Sequence, residues 1–364
     1  MPDVWTGVDP QEYPDPSLIV VSSYKEYGWR APPGRAGSAS TKGVHVYLIT
    51  GASGGLAQTA AELLLESVPA DQVILTTRAP GKLQSFADRG VHVRYADFAD
   101  PVGLEAAFEG AERMLLVSTA QVGTRIGLHR NAIDAARRAG VRYLAYTSIV
   151  GAGTVDNDAV VCLEHRATEE ILRESGLRWN ALRDAQYAQA VAYFIAPGAV
   201  AMGSMVGAWG EGTVGFVSRE DCAASAVGAL LGRGEDDRAY EITGPEELSY
   251  RQVCALIAEI SGADIAYVPI SDEEQYAIFD SMGVPREYDE EAIAASPIPW
   301  NSDDMVSFSR AIRLGHMSSL SDAVQILAGR APRSIRSVLE EAAATWPPAA
   351  PPADATETVV EAAR

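Results

Sequence analysis

Gly51 and Gly54 stand at the end of an apolar run, Val46, Tyr47, Leu48 and Ile49. A run with no polar alternation reads as a parallel strand covered on both faces. The glycines permit a tight turn and a close approach of backbone to phosphate, and Ala57 is small where a helix must pack on the strand. Leu56, Ala60, Ala61, Leu63 and Leu64 continue as that helix. Its first N–H groups and positive dipole end face the turn, which makes an anion site. Gly51, Ala52, Ser53, Gly54, Gly55 and Leu56 are therefore expected to hold the phosphates of a dinucleotide. An ordinary strand-to-helix turn uses the same glycines; the strand before and the helix after favour the dinucleotide.

More such residues stand at the ends of later apolar runs. Residues 72–77 read as a second strand, which ends at Arg78, with Lys82 following. In a β-α-β nucleotide fold an acid here bonds the 2′-hydroxyl of NAD, whereas an arginine accommodates the 2′-phosphate of NADP. No acid is present, so NADP(H) is expected, with a solvated surface arginine as the plainer alternative. A third strand, 91–96, runs into Asp97 and Phe98, which suit the adenine amino group and ring face. A fourth, 113–117, ends in Ser118, Thr119 and Ala120, expected along the nicotinamide-side ribose. A fifth, 141–148, ends in Thr147 and Ser148.

The elements that must position these residues alternate regularly. Helices are expected at 101–108 and at 123–139, the latter with Ile126, Ile133 and Ala136 inward and Gly140 as its stop. Alternation over about 140 residues gives an α/β class. A doubly wound parallel sheet of Rossmann type is expected, with its ligand crevice at the carboxyl ends of the strands. The chain of 364 residues divides into an N-terminal arm at 1–43, a nucleotide domain at 44–196, a smaller, mostly helical substrate-side region at 197–345 and a disordered tail at 346–364. The arm carries one candidate strand at 17–21 and a flexible linker at 37–41; packing on the body or on a second subunit of a homo-oligomer are both open. A net charge of −20 argues against a nucleic-acid partner. No apolar run is long enough for a membrane span, and no secretory leader is visible. Cys162, Cys222 and Cys254 are far apart, so neither a metal site nor a disulfide framework is expected, and a reducing cytoplasm fits.

Taken together, Thr50-Gly51-Ala52-Ser53-Gly54, Thr76-Thr77-Arg78, Tyr95-Ala96-Asp97-Phe98, Ala145-Tyr146-Thr147-Ser148 and Leu182-Arg183-Asp184-Ala185-Gln186-Tyr187 resemble the NmrA-like branch of atypical short-chain dehydrogenases/reductases. Glu164-His165-Arg166-Ala167-Thr168-Glu169 is also particular to that branch. The resemblance spans about residues 44–345 and is nearest to NADPH-dependent quinone oxidoreductases and triphenylmethane dye reductases. It implies NADP(H), with contacts at Gly51, Ser53, Gly54, Leu56, Arg78, Asp97 and Ser118. Short-chain dehydrogenases usually carry Ser, Tyr and Lys, the last two a helical turn apart. The Lys lowers the Tyr pKa so that the phenol acts as acid. Here Ser148 fits the serine slot, but Val161 and His165 stand where Tyr and Lys would be. Alcohol–ketone interconversion is thereby disfavoured. A quinone or dye accepts hydride into a delocalised system, so no strong acid need act in the same step. His165 is expected to hold the nicotinamide ribose or to supply a proton, against a purely packing role.

Beyond a sixth strand at 177–182, Gln186 and Tyr187 are expected on the substrate wall. Glycines at 203, 207, 210, 212 and 215 suggest short strands and a substrate-side loop carrying Trp209. Helices follow at 219–231, capped by Ser218, and after the N-cap Ser249, with a strand between at 239–244. Residues 271–345 read as helices closing over the crevice, where Tyr276, Phe279, Met282, Trp300, Met305 and Phe308 form either a pocket lining or, preferably, a plain core. Three functions are compatible with the missing relay pair: an NADPH-dependent reductase of an aromatic or quinonoid acceptor, a non-enzymatic NADP(H)-binding redox sensor that docks on a partner protein, and an enzyme with a redox-neutral net reaction.

Overall fold

The computed structural model describes residues 45–348. The expected strand at 17–21 and linker at 37–41 lie outside the described residues, as does most of the tail. Six strands lead the chain: β1 (Tyr47–Ile49), β2 (Val73–Thr77), β3 (His92–Tyr95), β4 (Arg113–Leu116), β5 (Tyr143–Ile149) and β6 (Arg178–Asp184). They are followed by β7 (Ser204–Gly207), β8 (Thr213–Val214), β9 (Arg238–Ile242), β10 (Leu248–Ser249) and β11 (Ala266–Pro269). The longer helices are α1 (Gly55–Leu65), α2 (Pro101–Phe108), α3 (Arg125–Arg138), α4 (Val160–Glu174), α5 (Arg219–Leu230), α6 (Tyr250–Ser261), α7 (Asp272–Ser281), α8 (Ser302–Arg313) and α9 (Ile335–Ala342).

Seven strands pair in parallel in the order β3-β2-β1-β4-β5-β6-β9. The order reverses between β1 and β4, which sets a ligand crevice just past their carboxyl ends. Alternate residues serve opposite faces. Leu48, Ile74, Met114, Leu144 and Tyr146 meet α2, α3 and α4, while Ile49, Leu75, Leu115 and Ala145 meet α1 and α5. All of these side chains are buried. Burying each large aliphatic one contributes about 1.5–3 kcal/mol. The sheet is thus the middle of three layers, and the cleft described below opens at its carboxyl edge.

A second core lies apart from the sheet. Trp209, Phe216, Tyr250, Ile257, Ile312, Leu339 and Trp346 pack together there. Trp346, at the start of the expected tail, is buried, and its indole N–H donates to the Ala192 carbonyl at 2.8 Å. Ser218 caps α5, and Ser249 forms a capping box on α6, as their positions predict. Cys162, Cys222 and Cys254 are free and buried. One helix face differs from expectation: Ile133 and Ala136 point inward on α3, but Ile126 is 36% exposed. The inward stripe begins one residue earlier with Arg125 and continues through His129, two polar groups an apolar pattern passes over. No helix among the described residues is long and apolar enough to cross a membrane.

Candidate functional site

One continuous cleft runs over the carboxyl edge of the sheet. Gly54, Val117, Ser118, Thr119 and Ala120 line both of its halves. The first half adds Gly51, Ser53, Arg78, Lys82, Asp97 and Phe98. Gly51 has φ +60°, a conformation that suits glycine, and the turn closes through the Gly54 N–H to the Gly51 carbonyl at 2.9 Å. A Cβ at Gly54 would sit 3.3 Å from that carbonyl and enlarge the turn where a phosphate must approach. No side chain caps α1, and its first turn carries no acid. Its N-terminal donors are therefore free for an anion. Arg78 and Lys82 are exposed and have no ion-pair partner among the described residues. These residues fit a dinucleotide with a 2′-phosphate.

The second half adds Gly55, Leu56, Arg125, Thr147, Val161, His165, Tyr187, Arg219 and Trp300. Thr147 Oγ1 accepts from the Ser118 N–H at 2.8 Å, fixing the strand end that backs this half. The Arg219 guanidinium has no ion pair among the described residues. Its Nη1 lies 3.7 Å from the position a Cβ on Gly55 would take, so this cation overhangs the start of α1. Tyr187 lines the wall as expected, but its hydroxyl donates to Asp184 Oδ2 at 2.9 Å. Burial, and the Asp184 carboxyl beside it, push that phenol well above its usual range.

Behind the second half lies a buried polar chain. Glu164 Oε1 accepts from the N–H groups of Gly123 at 3.0 Å and Arg125 at 3.3 Å, and Oε2 lies 3.6 Å from Arg125 Nε. Arg125 Nη1 donates to His165 Nε2 at 2.7 Å. A guanidinium can only donate, so the His165 proton sits on Nδ1 and is given to the Tyr146 hydroxyl, 2.7 Å away. Likewise the Thr119 N–H reaches His129 Nε2 at 3.1 Å, leaving the His129 Nδ1 proton for Thr168 at 3.0 Å. Burial, and then the Arg125 charge, hold His165 well below its usual pKa; the same causes push His129 down to about 3. Both imidazoles are neutral near pH 7. His165 is thus brought to the cleft, but not as an imidazolium acid.

Four expected residues are placed elsewhere. Ser148 lies outside the cleft: it shares the Tyr146 face of β5 and donates to Glu169 Oε1 at 2.6 Å, beneath α4. Glu169 also holds Arg183 at 2.7 Å, so this hydroxyl belongs to a sheet–helix clasp. Ala52 is wholly buried under the turn, and its N–H donates to the Thr76 carbonyl at 3.0 Å. Gln186 does not line the cleft; its side chain faces Tyr250. Trp209 is folded back over Gly207 and stacks on Tyr250 with ring centroids 3.8 Å apart, inside the second core. Of the six apolar residues in the 271–345 stretch, Trp300 lines the cleft and the others do not.

Arg125 and Arg219 line the cleft, and apolar patterning does not single them out. The available signal was their position: each opens a helix, where the macrodipole disfavours a cation unless something else uses it.

Comparison with known proteins agrees with this geometry. A family model described as NAD(P)H-binding matches residues 51–231. Quinone oxidoreductase 2 of Escherichia coli (strain K12) is 36% identical over 237 residues, covering 65% of this chain and 82% of that protein. The crystal structure of the NADPH-dependent quinone oxidoreductase from Escherichia coli complexed with NADPH superposes with a TM-score of 0.73 at 30% identity, covering 81% of this chain and 99% of that one. The Citrobacter sp. triphenylmethane reductase complexed with NADP(H) gives 0.70 at 28% identity, covering 82% and 99%.

Proposed function

Because the chain belongs to the NmrA-like, NAD(P)H-binding branch of atypical short-chain dehydrogenases/reductases, and so is an oxidoreductase that takes NADP(H), we propose that its acceptor is aromatic or quinonoid. The observation that carries this reading is the second half of the cleft, where no described lining residue is placed to give a proton. When bound, NADPH supplies a hydride there. The α1 N-terminus and Arg219 hold the pyrophosphate, and Arg78 and Lys82 hold the 2′-phosphate. Asp97 and Phe98 take the adenine, and Ser118, Thr119, Ala120 and Thr147 support the nicotinamide-side ribose. Trp300 and Val161 wall the acceptor and exclude water.

Val161 has no proton to give, Tyr187 spends its hydroxyl on Asp184, and His165 is a neutral donor to Tyr146. A simple ketone needs a proton as the hydride arrives. A quinone does not, since its ring holds the charge until water protonates it. Three buried thiols suit a reducing, cytoplasmic setting. The test is NADPH oxidation followed with a panel of quinones, enones and dyes. Turnover with quinones and none with simple ketones is expected. Tight NADPH binding with no turnover on the whole panel would overturn the reductase reading in favour of a redox sensor.

A further inference from the structure

If hydride transfer proceeds as above, the acceptor's oxygen becomes negatively charged before any proton reaches it. We propose that Arg125 receives this oxygen, so that the cleft takes neutral or anionic carbonyl acceptors, quinones and conjugated enones, in preference to cationic dyes. The inference rests on the reductase reading and names its substrate class.

Arg125 is only 5% exposed, yet it lines the second half of the cleft. Such burial of a permanent cation is costly unless a charge or a ligand answers it. Its answer within the protein is incomplete. Nη1 is used on His165, Nε forms no hydrogen bond and faces Glu164 Oε2 only at 3.6 Å, and no described residue accepts from Nη2. The Glu164 carboxylate is itself divided, since Oε1 serves two backbone N–H groups. The titratable groups that feel the Arg125 charge from other elements are Glu164, His165 and Cys162 on α4, Tyr146 on β5 and Asp304 on α8, with His129 on its own helix. His165, held in turn by Tyr146, fixes the guanidinium from behind. A donor fixed before the reaction and aimed at developing charge is the arrangement that stabilises an oxyanion most.

Among the described residues no carboxylate lines the second half of the cleft. A delocalised cationic dye would meet the Arg125 guanidinium and no described wall residue of opposite sign. In the reaction with a quinone, the hydride leaves NADPH and bonds to the quinone, which gains two electrons and becomes the hydroquinone monoanion. NADPH becomes NADP+. The oxyanion pairs with Arg125, and as the product leaves water supplies the one proton it needs, giving the hydroquinone and hydroxide.

The experiment uses the NADP+ complex and 4-nitrophenol, whose phenolate is coloured, as a mimic of the product oxyanion. In the parent protein the bound phenol should ionise at lower pH than in water. Arg125→Gln should abolish that shift while NADP+ binding by calorimetry persists, and Arg125→Lys should retain part of it. With a naphthoquinone, Arg125→Gln should lower kcat by about 10²–10³-fold. A cationic triphenylmethane dye should be a poor acceptor for the parent and no worse for the variant. A phenol that binds the parent only in its neutral form, or not at all, overturns the proposal. So does an Arg125→Gln protein that binds NADP+ and keeps both the shift and kcat within about threefold. If Arg125→Gln does not fold, the parent titration and Arg125→Lys decide. Failure of every quinone as an acceptor would sink the reductase reading instead, and the phenol titration would still report on Arg125.

Discussion

At the scale of single residues, the two arginines assigned to the cofactor's phosphates have separable tasks. Arg78 follows β2 with no acid beside it, so the protein should bind NADPH more tightly than NADH. Arg78→Ala should remove a charge-assisted contact worth about 1.5–3 kcal/mol, measured by calorimetry with each cofactor. Equal affinities in the parent would refute this. Arg219 overhangs the start of α1, where the pyrophosphate is assigned. Arg219→Ala should weaken NADP+ more than 2′,5′-ADP, which keeps only one of the two pyrophosphate phosphates and lacks the nicotinamide half. Equal losses for both ligands would place this arginine elsewhere. Arg78 was legible because its role follows from its place after one strand. Arg125 was not, because its partners Glu164 and His165 lie about 40 residues away and only the fold joins them. Ser148 misled for a related reason. A strand-end serine looks alike on either face, and one step along β5 sets whether it meets the cleft or Glu169.

At the scale of elements, apolar patterning reveals the strands of the parallel sheet, as runs rather than as alternation, and most helices, as i, i+3 and i+4 spacing; β11 leaves no such trace. It failed where polar groups are buried, as with Arg125 and His129 on α3, and where glycines permit more than one path, as with Trp209. The phosphate turn is the clearest element. Gly54→Val should abolish nucleotide binding while circular dichroism stays native, because a branched side chain would crowd the Gly51 carbonyl and the pyrophosphate together. Retained binding in a folded variant would give the turn another purpose. Trp209 now belongs to the second core, so Trp209→Ala should cost about 3–5 kcal/mol of stability in a denaturant titration. Its effect on the acceptor's KM in the folded protein should be small; a large one would return Trp209 to the substrate wall.

At the scale of the whole molecule, buried titratable groups oppose one another across the pH range. Burial pushes the Asp184 carboxyl up to about 7 and Asp304 up to about 6. The unfolded chain releases these protons near pH 4, so the folded protein holds protons the unfolded one has lost. Their contribution to stability is therefore full below about pH 4 and fades as pH rises to about 7. His129 and His165 act oppositely: with folded pKa values pushed down, their contribution is present above about pH 6.5 and fades on acidification. Asp184→Asn should thus lift Tm at pH 8 more than at pH 4, read by differential scanning calorimetry. An equal shift at both pH values would show that this carboxyl does not titrate in that window. The shared floor of the cleft carries a kinetic consequence. Gly54 and residues 117–120 serve both halves, and Trp300 stands over only the second. Whatever accepts the hydride must rest on a surface that the dinucleotide completes. Encounters would therefore follow a compulsory sequence, nucleotide before acceptor and reduced product before oxidised nucleotide, with NADP+ competing against NADPH alone.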